Sequence, residues 1–285
     1  MLLTEIPNLI KCKKIYNLKK INFNKIYTNS TNVSKSSIFV IENKAKLKKK
    51  YINEAIKKGA IAIISNEFIR SLPITQFVVF NIDLSLLNIL KKIRSNKPLY
   101  TIAVTGTNGK TSVAWYISQI LNYNKILVKS YGTLGYYVNL KKKYNSKLTT
   151  PDFTTLHQTA YSSRKNSYHY VFEASSHALA QNRIKFFKVD TAALTNISRD
   201  HLDYHKNFKK YKEAKLKLFF NHLNESGYAI LNDKIKGIKN IKNKLRKNNK
   251  IITYGMANSD VNIIKSKKQV LITVFKKKYF ININL

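Results

Sequence analysis

The sequence predicts an α/β protein: a small N-terminal α/β domain over residues 1–98, then a mostly parallel, three-layer P-loop-type central domain over residues 99–285. Three observations predict it. Residues 36–65 read strand, helix, strand. Residues 100–121 read strand, glycine turn, helix. Beyond them, apolar runs short enough for strands alternate with segments of helical spacing, the pattern of a parallel sheet covered by helices.

Taken in order, "SSIFVI" (36–41) is a short apolar run. "YINEAIKKGA" (51–60) sets Ile52, Ala55, Ile56 and Ala60 on one helical face, with Gly59 near its end. "AIAIIS" (60–65) has the length of a buried strand. "IRSNKPLY" (93–100) is polar, carries a proline and reads as a linker. "YTIAVTG" then gives a strand and "TSVAWYISQIL" a helix, with Val113, Tyr116, Ile117, Ile120 and Leu121 at helical spacing. "YHYVFEASS", "VDTAALTNIS", "GYAILND" and "KIITYG" are further strands. "KIKGIKNIKNKLRKNNK" reads as a solvated helix face and loop.

At 285 residues and 44% hydrophobic, the chain has material for a sizeable core. Its 52 Lys+Arg against 14 Asp+Glu give a formal charge of +38. The lysines are spread along the whole chain, and no zinc-finger, RRM or KH signature accompanies them. A drift of composition toward Lys, Asn, Ile and Tyr accounts for the charge better than a specific nucleic-acid partner, although polyanions are still attracted. Cys12 is the single cysteine, which excludes an intrachain disulfide and fits a reducing compartment. No run of eighteen apolar residues occurs, and "MLLTEIPNLIKCKK" lacks the apolar core of a signal peptide. The expected location is cytoplasmic, with no membrane partner.

The chemistry concentrates in "TGTNGKTS" (105–112), between a strand and a helix. Gly106 and Gly109 let the backbone close around phosphate oxygens, and the amides of Thr107, Asn108 and Ser112 lie in the same loop and first helical turn. Lys110 can reach terminal phosphates, and the Thr111 hydroxyl can ligate Mg²⁺. Val104 stands where a strict Walker motif has its first glycine. The bland reading is a tight strand–helix turn with a surface lysine.

"NISRDHLDYH" (196–205) gathers scarce acids and imidazoles. His201 suits a metal ligand and Asp200 a group that orients it; the alternative is a polar helix-capping loop. Asp203 and His205 read as solvated, and His177 as an ordinary loop histidine. Glu173 ends the apolar run "YVF", where a buried carboxylate is costly without a cation; alternatively it faces solvent at a strand end. In "NFKKYKEAKLKLFF", Phe208, Tyr211, Lys215, Leu218 and Phe219 share one helical stripe. A lysine there usually snorkels. Burial would instead lower its pKa and expose a neutral amine to CO₂.

"GTNGKT", "LTTPD" (148–152), "FEASSHALAQNR" (172–183), "ALTNISRDHLDYH" (193–205) and "YKEAKLKLF" (211–219) together resemble the Mur ligase family, in its order and at its spacing. The match is dense from about residue 100 to 235. The resemblance implies an ATP- and Mg²⁺-dependent amide-bond ligase of peptidoglycan synthesis. It would add the third amino acid, diaminopimelate or lysine, to UDP-N-acetylmuramoyl-L-Ala-D-Glu through an acyl phosphate. It implies that Lys110 and its loop cradle ATP, and that Thr111, Glu173 and His201 hold Mg²⁺, with Lys215 as its carbamate. Thr149, Thr150, Ser175, Gln181 and Arg183 would contact the nucleotide-sugar dipeptide.

Two departures stand out. Asn29-Ser30-Thr31 replaces the family's Asp-Ser-Arg, leaving Ser30 as the nucleotide-sugar contact, and "ENKAKLKKK" replaces a glycine-bearing loop. The family's adenine-contacting segment and C-terminal Rossmann-like domain do not appear. The expectation is a truncated, split or decaying form, completed if at all by a second polypeptide. A folylpolyglutamate synthase-like ligase and a non-catalytic nucleotide-binding remnant are the rival readings.

Overall fold

A computed structural model describes residues 1–41, 49–163, 166–265 and 269–282. Most of "ENKAKLKKK" and the end of "FININL" lie outside the described residues. The chain divides into two compact units, Met1–Lys97 with Asp152–Asn166, and Pro98–Pro151 with Ser167–Leu285. The contiguous division at 98/99 thus leaves out the excursion of 152–166 into the first unit.

The elements open with β1 (Cys12–Tyr16), β2 (Lys25–Tyr27), β3 (Ser37–Val40), α1 (Lys49–Lys57), β4 (Ala60–Ser65), β5 (Thr75–Val79) and α2 (Ile82–Ile93). Next come β6 (Tyr100–Thr105), α3 (Lys110–Tyr123), β7 (Val128–Gly132), β8 (Gly135–Val138), β9 (Lys141–Tyr144) and α4 (Phe153–Ala160). They continue with β10 (His169–Glu173), α5 (Ser176–Ala180), β11 (Val189–Leu194), α6 (Leu202–His205) and α7 (Phe208–Lys217). The last are β12 (Leu223–Asn232), α8 (Ile238–Lys244), β13 (Lys250–Tyr254), β14 (Val261–Lys265), β15 (Gln269–Val274) and β16 (Lys277–Asn282).

In the first unit the sheet order is β1-β5-β4-β3-β2, parallel except for β1 against β5. Its central strands are continuous apolar runs because both faces are covered. Alternation along β3 and just past its end sends Ile38 and Val40 into a core with Leu86, Leu90 and Phe153. Phe39 and Ile41 enter a second core with Ile52 and Ala55 of α1. The helical face read from "YINEAIKKGA" is the face that packs.

In the second unit the order is β16-β15-β14-β13-β12-β11-β6-β10-β7-β8-β9. The run from β14 to β7 is parallel, and antiparallel ribbons extend it at both edges. The fold is therefore the mostly parallel α/β type that the sequence predicts. Val171 of β10 packs with Val104 and, from α3, Ala114. Its neighbours Tyr170 and Phe172 meet Phe187 on the opposite face. β6 leads on to β7 and its neighbour β10 to β11, so the connections from these two adjacent strands leave in opposite directions. The crevice at the carboxyl ends of such strands is where open α/β sheets bind ligands.

One residue of the first unit generates a pH test. His157 of α4 is buried, stacked 3.9 Å from Tyr161, with neither ring nitrogen hydrogen-bonded. Burial, aided by the charges of Lys91 and Arg94, holds its pKa down to about 3 from 6.5. The unfolded chain takes up that proton as pH falls through 6.5, while the folded chain does not. Stability present above pH 6.5 is therefore lost toward pH 3, by up to about 1.4 kcal/mol per pH unit. Urea midpoints of His157→Leu are expected to fall less steeply across that window than those of the wild type. Equal slopes would show that His157 ionises in the folded chain.

Candidate active site

β6 ends at Thr105, the loop occupies 106–109, and α3 begins at Lys110. Gly106 has φ +150°, and a Cβ there would collide with the Thr195 hydroxyl. The loop is fixed from the start of the β11–α6 segment. Thr107 N donates to Asn196 O and Asn108 N to Asn196 Oδ1, each at 3.0 Å, while Thr195 Oγ1 donates to Asn108 O at 2.6 Å. The Thr107 hydroxyl lies 2.9 Å from Tyr211 OH and accepts from Ser198 N. Its side chain therefore anchors the loop, and its N–H is taken by Asn196. Ser112 is exposed on the first turn of α3. Lys110 Nζ donates to the carbonyls of Gly106 and Thr107, at 3.0 and 2.8 Å. Partial burial pushes the Lys110 pKa down, opposed by the charges of Glu173 and Asp200.

Glu173 is 2% exposed at the end of β10. It accepts from Thr111 Oγ1 at 2.8 Å, Thr133 N at 2.7 Å and Thr133 Oγ1 at 3.3 Å. The solvent-facing alternative for this residue is excluded. Gly132 is required beside it, since a Cβ there would strike the carboxylate. All three donors are neutral, and no cation is hydrogen-bonded to this carboxylate among the described residues. A carboxylate against a threonine hydroxyl at a phosphate loop is the hard-oxygen donor set that Mg²⁺ takes. No group of three or more His, Cys, Asp or Glu side chains converges on one point among the described residues. The fit therefore rests on Thr111 and Glu173, with other ligands coming from phosphate, His201 or a modified lysine.

Lys215 is 1% exposed on α7. Its ammonium donates to Gly106 O at 2.6 Å and lies 4.4 Å from the centre of the Tyr211 ring. It does not snorkel. Burial, then the charge of Lys110, lowers its pKa from 10.5 to about 7 against the pull of Asp200.

His201 takes a left-handed backbone, φ +51°, and its side chain is 48% exposed. Its backbone N–H donates to Asp200 Oδ1 at 2.9 Å, and its Nε2 lies 3.4 Å from Asp200 Oδ2. Asp203 is exposed, but two expectations fail nearby. His205 is 5% exposed, its ring 5.3 Å from that of Tyr211. His177 sits on α5, not in a loop, with its ring 4.7 Å from His201 at 78° and 4.3 Å from Tyr204. Both are packed because α5 and α7 press on α6, a tertiary contact. The one available signal was that His201 and His205 are four residues apart, hence on one face of a turn.

Five of the six substrate candidates form one network. Thr150 Oγ1 donates to the Glu173 backbone carbonyl at 2.6 Å and accepts from Ser175 N at 2.9 Å. Arg183 Nη1 donates to Thr150 O at 3.1 Å, and its Nε to Gln181 Oε1 at 2.8 Å. Gln181 in turn donates to Tyr204 OH, and the Thr149 hydroxyl pairs with that of Thr133. Tyr204 had not been singled out in the sequence. Ser30 belongs to the first unit; it is buried and gives its hydroxyl proton to Glu54 at 2.7 Å.

Lys215 sets a second pH test. Its pKa in the folded chain lies below the unfolded value, so the unfolded chain holds more protons between about 7 and 10.5. Stability is therefore expected to rise with pH across that window in CO₂-free buffer. Lys215→Met should be more stable than the wild type below pH 7 and should lack the rise. A variant less stable at every pH would show that the amine is well accommodated in its charged form.

Residues 104–285 match the model of the Mur ligase middle domain. A UDP-N-acetylmuramoyl-L-alanyl-D-glutamate--2,6-diaminopimelate ligase of Rickettsia rickettsii is 36% identical over 255 residues, which are 87% of this chain and 52% of that protein. The ligase of the same name from Wigglesworthia glossinidia brevipalpis is 33% identical, covering 80% of this chain and 49% of the relative. The chain thus spans about half the length of the curated relatives it matches. Among solved structures, one of a UDP-N-acetylmuramoyl-L-alanyl-D-glutamate--2,6-diaminopimelate ligase superposes over 99% of this chain and 59% of that one, with TM-score 0.72 and 24% identity. MurF from Acinetobacter baumannii gives TM-score 0.70 at 17% identity, over 99% of this chain and 60% of its own. In this chain the loop at 105–112, the buried Glu173 and the strands from β7 onward lie within the matched stretch, and the chain belongs to the Mur ligase family.

Proposed function

We propose that this chain carries the ATP- and acyl-substrate-binding portion of an amide-bond ligase of peptidoglycan synthesis acting in the cytoplasm. The acyl substrate is UDP-N-acetylmuramoyl-L-alanyl-D-glutamate, and the added amino acid is diaminopimelate or lysine. One observation carries the reading. Glu173 meets the phosphate-loop hydroxyl of Thr111 through its carboxylate, and Thr150 of the substrate network through its backbone carbonyl. A terminal phosphate and a substrate carboxylate held by those two neighbours would lie side by side. The relatives' names favour this acceptor over the folylpolyglutamate type.

In the reaction a substrate carboxylate oxygen attacks the γ-phosphorus, the bridging P–O bond breaks and ADP leaves. The amine then attacks the acyl carbon, the C–O bond to phosphate breaks, inorganic phosphate departs and the amine loses a proton. The amides at the N-terminus of α3 and Lys110 bind the phosphates, Lys110 exchanging its two carbonyl partners for phosphate oxygens. Arg183, Gln181, Ser175, Thr149 and Thr150 orient the acyl substrate. Mg²⁺, when bound, would be held by Thr111, Glu173 and His201 and would neutralise phosphate charge. Asp200 holds His201 in position. Lys215, largely neutral above pH 7, can add CO₂ with loss of a proton, leaving an anionic carbamate for that site.

Calorimetry with ATP and Mg²⁺ tests the cradle. Lys110→Ala removes a charge-assisted contact worth roughly 1.5–3 kcal/mol, so binding should weaken about ten- to a hundredfold. Equal affinity for variant and wild type would remove Lys110 from the phosphate site.

A radiolabel assay with the UDP-linked dipeptide, ATP, Mg²⁺ and diaminopimelate tests the division of labour. Amine positioning supplies of the order of 7–11 kcal/mol in a well-aligned two-substrate reaction. It would come from sequence outside residues 1–285, in the same or a second polypeptide. Residues 1–285 are expected to hydrolyse ATP slowly and to form product only when that part is supplied. Product at an ordinary rate from these residues alone would overturn the assignment. Product from neither arrangement, with ATP still bound, would favour a nucleotide-binding remnant.

A further inference from the structure

A cleft of about 550 Å³ opens between α7, with the turn that follows it, and α8. None of the site residues lines it. The α7 wall presents Lys209, Lys212, Glu213, Leu216, Lys217 and Phe220. The α8 wall presents Asn240, Ile241 and Lys244, with Gly237 just before the helix. On both helices these positions recur every three or four residues, so each wall is one helical stripe. The stripe on α7 lies on the side opposite Tyr211 and Lys215. One face of this helix serves the phosphate loop and the other is left to the cleft.

The floor is apolar. Leu216 and Ile241 are buried and Phe220 is half-buried. The rim is cationic. Lys212 caps the carbonyl of Lys236 at 2.9 Å. Lys209, Lys217 and Lys244 form no ion pair with an acid among the described residues. Lysines are abundant everywhere on this chain, so the rim alone signals nothing; the enclosed apolar floor between two heptad-like stripes is the distinguishing feature.

We infer that this cleft is a docking groove for an amphipathic helix of another polypeptide, its apolar stripe flanked by Asp and Glu. Two helices offering stripes at three- and four-residue spacing accept a third by ridges-into-grooves packing. Acids flanking the apolar stripe of the incoming helix would pair with the lysines of both walls. No described helix of residues 1–285 carries more than one acid, so none of them has that pattern. A second copy would set lysine against lysine.

The test is fluorescence anisotropy with a labelled helical peptide bearing leucines at stripe positions and flanking glutamates. A scrambled peptide of the same composition and phosphatidylglycerol vesicles serve as the other arms. The ordered peptide should bind at least about tenfold tighter than the scrambled one. Asn240→Trp, which fills the groove from an exposed position without changing charge, should cancel that preference. Lys217→Glu with Lys244→Glu should weaken the ordered peptide about tenfold or more, and keeps the test open if the tryptophan variant misfolds. Equal binding of ordered and scrambled peptides would reduce the groove to general charge attraction and overturn the inference. So would an ordered-peptide preference untouched by either variant, vesicle binding that Asn240→Trp abolishes, or self-association that it dissolves.

Discussion

Two ammonium groups converge on one peptide carbonyl. Lys110 and Lys215 both donate to Gly106 O, from the first turn of α3 and from the last turn of α7. Burial lowers the pKa of both, and for Lys215 the repulsion of the Lys110 charge adds to it. An arriving polyanion relieves the repulsion, and so does conversion of one amine to an anion. The site is therefore held in a state that favours negative charge, and most of its other features serve to keep the loop where the two lysines meet.

That loop is rigid because β11 reaches over it. Thr195 and Asn196 hold the backbone of Thr107 and Asn108, Ser198 N donates to the Thr107 hydroxyl, and Tyr211 pairs with that hydroxyl from α7. Close approach is possible only with glycine at 106 and 132. At one a side chain would strike Thr195, and at the other it would displace Glu173. α7 passes into a wide turn at Leu218–His222 whose inward residues Leu218 and Phe219 are buried. Tyr211 on one side and Leu218 and Phe219 on the other are buried, which fixes Lys215 between them. The side chain is 1% exposed, which separates it from the many surface lysines.

The fold was largely legible because parallel strands buried on both faces leave continuous apolar runs. "AIAIIS", "YTIAVT" and "YVFE" all emerged as strands. Lys110 and Thr111 were legible from the glycine loop between a strand and a helix, Glu173 and Lys215 because an acid or a lysine stands where an apolar pattern asks for something else. The histidine cluster was not. His177 and His205 are packed by α5 against α6 and α7, and no period within either segment announces such a contact. The use of the Thr107 side chain as an anchor was likewise hidden, since its partner Tyr211 lies a hundred residues away in sequence. The return of residues 152–166 to the first unit had no compositional signal at all.

The scarcity of acids sharpens what the remaining ones mean. Asp190 accepts from Thr101 N and from Asn224, and Asp260 from Thr253 N and its hydroxyl. Asp233 takes Lys242 and Ser259. Replacing a solvated acid by lysine on a surface usually changes stability by no more than about 0.5 kcal/mol, so composition can drift there freely. Leaving a buried N–H or hydroxyl without its acceptor costs roughly 1–3 kcal/mol, and a lysine has no lone pair to offer. Acids are therefore retained where an acceptor is structurally required. Glu173 meets that condition through Thr133 N, yet its second oxygen faces a phosphate-loop hydroxyl that any helix could have done without. Asp200 meets it only weakly, being half-exposed and bonded to the adjacent His201. Backbone satisfaction alone does not account for these two acids, and both stand within electrostatic reach of Lys110.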